Sequence, residues 1–173
     1  MTWLRAVMLL ALIVWIGGIM FFAFVLAPTL FSVLPSPQMA GDVVSPTLSQ
    51  LHSIGLVSGT VFLIASLLYD RLLYARFRLF TATNVLVVLM LALTAISQFA
   101  ITPRMREVRS QLKMVQKAGY DPYMPGSVPK LMVVYSSQFN NLHAWSTRLE
   151  GSVLVLGLAL VVVTARRWSE TSH

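Results

Sequence analysis

The side chains best suited to chemistry in this sequence are two histidines and a glutamate near the starts of apolar runs. His52 opens the run 51–69, His143 opens the run 143–165, and Glu150 follows His143 by seven residues. Imidazole nitrogen and carboxylate oxygen are ligands that suit copper, zinc or haem iron. An ionisable group inside an apolar segment is costly unless it is paired, so it indicates a functional site. We predict a metal site at His52, His143 and Glu150, with a transition metal or haem as cofactor.

Helical spacing adds further polar side chains to this site. On a helix that contains His143, an offset of seven returns Glu150 to the same side, whereas Arg148 points roughly the opposite way. Gln98 lies near the end of the preceding apolar run, at the level where this helix would begin. The predicted ligand-binding site has five members, which would line a polar cavity between the helices: His52, His143, Glu150, Arg148 and Gln98.

The composition places these residues in a membrane protein. Of the 173 residues, 57% are hydrophobic and 11% are charged, whereas about 25% of the residues in a soluble domain are charged. A helix needs about 20 apolar residues to cross a bilayer, and four runs meet or nearly meet that length, namely 6–34, 51–69, 79–101 and 143–165. We predict an all-α fold, a polytopic membrane four-helix up-and-down bundle that forms a single domain over residues 1–173.

The first two connections between these spans differ in composition. Three prolines between residues 35 and 50 predict a loop, which would bring Asp42 to the level of the polar site. The second connection, with the sequence DRLLYARFR, is short and basic and carries tyrosines, which is typical of a cytoplasmic turn. Arg5 lies on the same side of the membrane as this turn, and the first loop contains no Lys or Arg. We therefore predict that both termini are cytoplasmic.

The third connection is longer. Apolar residues recur at helical spacing beneath a basic face after Pro103, and prolines and glycines follow near residues 119–126. Ser127 and Pro129 resemble the N-cap and opening proline of a new helix. Residues 103–142 are thus predicted to form an extramembrane helical hairpin between the third and fourth spans, with the third helix bent at Pro103.

The order of the spans places both predicted metal-ligating histidines at one membrane face. His52 and His143 begin spans that lie two apart in the series, and such spans run in the same direction in an up-and-down bundle. His52 also shares a helical face with Gly55 and Gly59, and small residues at this spacing allow helices to approach closely. An inward-facing His52 is the expected result.

Several classes of protein are disfavoured by what the sequence contains. With no cysteine there is no disulfide and no thiolate ligand. The net charge of +7 comes from Lys and Arg that flank apolar segments, as membrane anchors do, so we predict no nucleic-acid partner. The sequence lacks the nucleophile-elbow, H-E-x-x-H and P-loop patterns, so an enzyme is the least supported class.

Several motifs in fixed order carry a resemblance to a known family. They are VWIGGIMFFAFVLAPTLFSVLP in the first span, ITPRM after the third, and FNNLHAWSTRLEG at the start of the fourth. The chain resembles the uncharacterised four-helix bacterial membrane-protein family related to the eukaryotic transmembrane protein implicated in resistance to the platinum drug cisplatin. The resemblance implies a bacterial inner-membrane location and an extended hairpin between the last two helices. The eukaryotic relatives have cysteines and this chain has none, so no thiol-based metal site is expected.

Three interpretations of function remain open at this point. In the first, the polar site binds a metal ion, haem or a small ligand. In the second, the protein is a small-solute carrier whose polar residues line a path, and a homodimer would complete the wall. In the third, it is a non-catalytic accessory subunit: the polar residues fix helix packing, and the hairpin docks a partner membrane protein. The lipid bilayer is the surrounding medium in all three.

Overall fold

The computed structural model describes residues 2–75, 78, 80–118 and 128–170. These residues form helices and no strands. In chain order the elements are α1 (Thr2–Phe21), a first π-helical segment (Phe22–Leu26), α2 (Ala27–Val33), α3 (Pro37–Tyr74), α4 (Ala82–Ile96), a second π-helical segment (Ser97–Ile101), α5 (Thr102–Ala118) and α6 (Val128–Glu170).

Four helical stretches among the described residues are long and apolar enough to cross a membrane. They are Thr2–Val33, Pro37–Tyr74, Ala82–Lys117 and Lys130–Ser169, and each contains most of one predicted span. Many large apolar side chains lie on the outside of the bundle. This is the arrangement that lipid tails favour, because they are as apolar as the side chains they contact. The protein is therefore a multi-pass integral membrane protein, and the predicted all-α four-helix bundle is confirmed.

Residues 35–50 are not the loop that the sequence predicts. α3 already begins at Pro37, and Pro46 lies inside it. The Ser36 hydroxyl accepts a backbone N–H of the first turn at 3.3 Å, and a proline at the first helical position lacks only a donor that would have had no partner there. Asp42 forms an ion pair with α5 that supports this part of the helix. The loop prediction treated these prolines as helix breakers and overlooked the local start signal, a Ser36 cap followed by a proline at the first helical position.

The four spans pack as a closed ring of neighbours. α1 packs on α3, α3 on α4, α4 on α6, and α6 returns to α1 through the least extensive of these four interfaces. Trp15 of α1 is 1% exposed, and its indole lies against Gly55 and Gly59 of α3. Because Gly55 and Gly59 have no side chains, the Trp15 indole, the largest buried side chain of α1, fits against α3.

Each π-helical segment begins six residues before a proline. The segment Phe22–Leu26 precedes Pro28, and the segment Ser97–Ile101 precedes Pro103. Proline has no N–H to donate, and its ring collides with the carbonyl four residues earlier. A wider π-type turn is one way in which a helix accommodates this collision. The third span therefore continues through Pro103 into α5 instead of ending there.

The extension beyond the spans consists of α5 and the first part of α6, which pack against each other. Both arms of the predicted hairpin are thus helical. The predicted turn between them, with its prolines and glycines near residues 119–126 and the cap at Ser127, lies outside the described residues. Lys113 of α5 donates to both carboxylate oxygens of Asp42, at 2.9 and 2.8 Å, which ties the extension to the start of α3.

We predict that Gly55→Ala destabilises the bundle. A Cβ at this position would overlap the Trp15 indole, and overpacking of this kind lowers the free energy of unfolding by about 1–3 kcal/mol. Unfolding by SDS titration in mixed micelles measures the change. The matched control is Gly151→Ala, because a Cβ there meets no atom within 4 Å. Equal stability of the two variants would contradict the packing described here.

Candidate functional site

The centre of the candidate site is the imidazole of His52, which is 3% exposed in the interior of the bundle. α3 carries it on the face that also carries the buried Gly55 and Gly59, as the helical spacing predicts. Its Nδ1 atom lies 3.1 Å from Oε1 of Gln98. Its Nε2 atom contacts Oε1 of Glu150 directly. One histidine side chain therefore joins the third span and α6 to α3.

The second π-helical segment supplies two of the polar partners. The Ser97 hydroxyl donates to Oε1 of Glu150 at 3.1 Å, and Gln98 Nε2 donates to the Ser49 hydroxyl at 3.1 Å. The Ser97 carbonyl accepts from the hydroxyl of Thr102 at 2.9 Å, which supports the wider turn. Neighbouring residues on a regular helix point about 100° apart. Here both side chains reach the cluster. Gln98 contacts Nδ1 of His52, and Ser97 contacts the Glu150 carboxylate, which lies at Nε2 of His52.

The directions of these hydrogen bonds limit how many protons the cluster holds. Because the Gln98 amide nitrogen donates to Ser49, its carbonyl oxygen faces His52 and accepts the Nδ1 proton. A hydrogen bond between Nε2 of His52 and Oε1 of Glu150 then requires one proton between these two atoms. The pair is either imidazolium with carboxylate or imidazole with carboxylic acid, and both forms are neutral overall. A neutral, fully hydrogen-bonded pair avoids the cost of an isolated charge in the membrane.

The structure brings together three of the five predicted site residues and leaves two outside. His52, Gln98 and Glu150 are in contact, whereas His143 and Arg148 are exposed. The His143 ring stacks on Phe139 with ring centroids 6.2 Å apart. The described residues contain no group of three or more His, Asp or Glu side chains that could hold a metal ion.

The geometry of α6 explains this separation. His143 precedes Glu150 by seven residues, which is about 10 Å along the helix axis. The two residues therefore lie at different depths, although they share a stripe. Arg148 points away from the cluster, as the spacing predicts, and its guanidinium lies 5.5 Å from the centroid of the Trp145 ring.

Asp42 does not join the cluster either. It precedes His52 by ten residues on the same helix, which corresponds to about 15 Å along the axis. Its carboxylate lies 3.7 Å from Arg109 and 2.8 Å from Lys113, both in α5. These contacts border a cavity of about 390 Å³ between the start of α3, α5 and the start of α6. Asp42 thus belongs to the extension and not to the membrane-embedded site.

A second polar cluster, at the opposite end of the bundle, was missed by the sequence analysis. Asp70 at the end of α3 is fully buried and forms an ion pair with Arg167 of α6. Arg5 of α1 donates to the Tyr69 hydroxyl at 2.7 Å. The sequence did contain a signal for this cluster. Spans that lie two apart in an up-and-down bundle run in the same direction, so the ends of α3 and α6 lie at the same membrane face. The argument that aligns the starts of α3 and α6 also aligns their ends.

The comparisons with known proteins give one match. Residues 10–113 match the model of the family described as Domain of unknown function (DUF4149). The chain belongs to this family. Searches of the curated proteins and of the solved structures find no match. Nothing in these comparisons links the chain to the eukaryotic protein implicated in platinum-drug resistance.

The DUF4149 match divides the candidate site. It begins in α1 and ends in α5, so it contains His52, Ser97 and Gln98. Glu150 and the rest of α6 lie beyond it. The family region thus supplies the histidine and the side chains that orient it, while the carboxylate comes from the fourth span.

We predict that Gln98→Leu lowers the free energy of unfolding by about 1–3 kcal/mol, because it leaves the buried His52 Nδ1 proton without an acceptor. Gln50→Leu is the matched control, since Gln50 is exposed on the same helix as His52. SDS titration in mixed micelles compares the two variants. If Gln98→Leu were as stable as Gln50→Leu, the hydrogen-bond chain would not be holding the cluster together.

Proposed function

We propose that this integral membrane protein binds one divalent transition-metal ion, such as copper or zinc, between His52 and Glu150. The observation that carries the proposal is that Nε2 of a buried histidine faces a carboxylate oxygen while its Nδ1 is fixed by an amide oxygen. Metal-binding histidines characteristically donate their second ring nitrogen to an oxygen of this kind, which sets the tautomer and the ring orientation.

A metal ion at this position would replace the proton that the pair shares. Zinc lies about 2.0–2.1 Å from a histidine nitrogen and about 2.0–2.2 Å from a carboxylate oxygen. Nε2 of His52 and Oε1 of Glu150, which are in direct contact, must therefore move apart to admit it. The Glu150 side chain is 19% exposed, compared with 2% for that of His52, so rotation of Glu150 is the easier movement. Water would supply the remaining ligands.

The same geometry favours a metal ion over haem. The face of a porphyrin would have to pass between His52 and Glu150, which are in direct contact. His143 would be the second axial nitrogen, but it is exposed and lies two helical turns from Glu150. A single ion requires neither a large opening nor a second histidine. We therefore give the haem interpretation less weight.

Two further interpretations stay predictions. A small-solute carrier would use the exchange of the shared proton for a cation as one step of transport. An accessory subunit would use the cluster only to fix helix packing and the α5–α6 extension to contact a partner. Membership of the wider family that includes the eukaryotic platinum-resistance protein also stays a prediction.

We expect the purified protein, with any affinity tag removed, to bind one equivalent of Zn²⁺ and release a proton. Metal binding displaces protons from its ligands. Calorimetry in two buffers of different ionisation enthalpy measures both quantities in mild detergent. His52→Ala should abolish binding and proton release, and Glu150→Gln should weaken binding by about 10-fold or more.

The control for this experiment is His143→Ala, which removes an exposed histidine from the helix that carries Glu150. Stoichiometric binding should survive in this variant. If His143→Ala lost the metal and His52→Ala kept it, binding would be at the surface and the proposal would be wrong. If the wild-type protein bound no metal, the cluster would be left with the packing role of an accessory subunit.

A further inference from the structure

The cavity beside Asp42 lies in the extension, between the start of α3, α5 and the start of α6, and has a volume of about 390 Å³. Its lining residues on α5 follow the third apolar run, 79–101, and those on α6 precede the fourth, 143–165. Pockets of about 300–1,000 Å³ are the size that binds small molecules. Because this one is beyond the apolar runs, a ligand dissolved in water can reach it.

Most of the cavity wall is apolar. Leu112 of α5 and Met132, Val133 and Phe139 of α6 contribute to it. Val133 is 68% exposed, although water and not lipid surrounds this part of the chain. Apolar surface that faces water gains free energy when a ligand covers it. The wall therefore favours a ligand with an apolar body.

The charged side chains of the wall are Asp42, Arg109 and Lys113, and the other described side chains that line the cavity are uncharged. Lys113 donates to both carboxylate oxygens of Asp42, and Arg109 lies 3.7 Å from the same carboxylate. One carboxylate neutralises only one of the two cations, so the wall has an excess of one positive charge. The side chains of Arg109, Lys113 and Asp42 are 22%, 48% and 45% exposed, so a ligand can contact them.

Arg109 is held in a fixed position while most of its donors stay available. Its Nη1 atom donates to the carbonyl of Gly41, and its guanidinium lies 5.3 Å from the centroid of the Phe139 ring. A guanidinium carries several N–H donors in a planar fork that matches a carboxylate. Among the described residues, Arg109 makes hydrogen bonds through Nη1 alone. Since the Phe139 ring also lines the cavity, the positive charge and the apolar wall are adjacent.

From this arrangement we infer that the extension binds one small amphipathic monoanion, a carboxylate with an apolar body. The ligand carboxylate accepts from Arg109 and Lys113 and balances the excess positive charge. The apolar body fills the cavity and lies against Phe139. This inference is independent of the proposed metal site, because neither His52 nor Glu150 lines the cavity.

The test is calorimetry on the full-length protein in nanodiscs of phosphatidylcholine, with empty nanodiscs as the baseline and octanoate, octanamide and acetate as probes. Octanoate should bind at one equivalent and roughly tenfold more tightly than octanamide, because hydrogen bonds between charged groups are stronger than those to a neutral amide. Acetate lacks the apolar body and should bind more weakly than octanoate. Equal affinities for octanoate and octanamide, or no octanoate binding, would overturn the inference.

Lys113→Gln removes the excess positive charge and should abolish the preference for octanoate over octanamide. The matched control is Lys117→Gln, which removes the same charge from an exposed position of α5 that does not line the cavity. The control should bind octanoate as the wild type does. If the two variants kept the same preference, the charge of the cavity would not be selecting the ligand.

Ser136→Phe tests the place of binding without changing any charge. Ser136 lines the cavity and is exposed, so a phenyl ring there occupies the space of the ligand and should abolish octanoate binding. Ser137→Phe adds the same ring at the next residue, which is exposed and does not line the cavity, and should keep it. Octanoate binding that survives in Ser136→Phe would show that the cavity is not the site.

Discussion

The bundle depends on one constraint, which is that polar groups inside a bilayer must find their partners within the protein. His52 and Glu150 meet this constraint as a neutral pair that joins α3 to α6. At the other end, Asp70 and Arg167 join the same two helices. These two polar contacts join α3 to α6 at positions that lie 18 residues apart on α3, since His52 and Asp70 are its two members. Between them, apolar packing such as that of Trp15 on α3 fills the remaining volume.

A backbone irregularity gives the metal-binding candidate its geometry. Pro103 donates no backbone N–H, and its ring crowds the carbonyl four residues earlier; the π-helical turn that precedes it begins at Ser97. That turn lets Ser97 reach Glu150 while Gln98 reaches His52. π-helical turns of this kind are frequent at functional sites. A proline that borders the membrane thus controls the orientation of side chains one to two turns away.

At the polar cluster every group already has a partner, so a metal ion has to compete with a shared proton. The proposed metal site lies largely inside the region matched by DUF4149, which supplies His52, Ser97 and Gln98.

The sequence by itself determined the membrane class, the four spans and the common direction of α3 and α6, because length and hydropathy fix these features. It also determined that Glu150 needs a partner. Only the tertiary structure decided that the partner is His52, since the depth at which α6 contacts α3 leaves His143 outside. Local pattern cannot give such outcomes, because they depend on how far one helix slides along another.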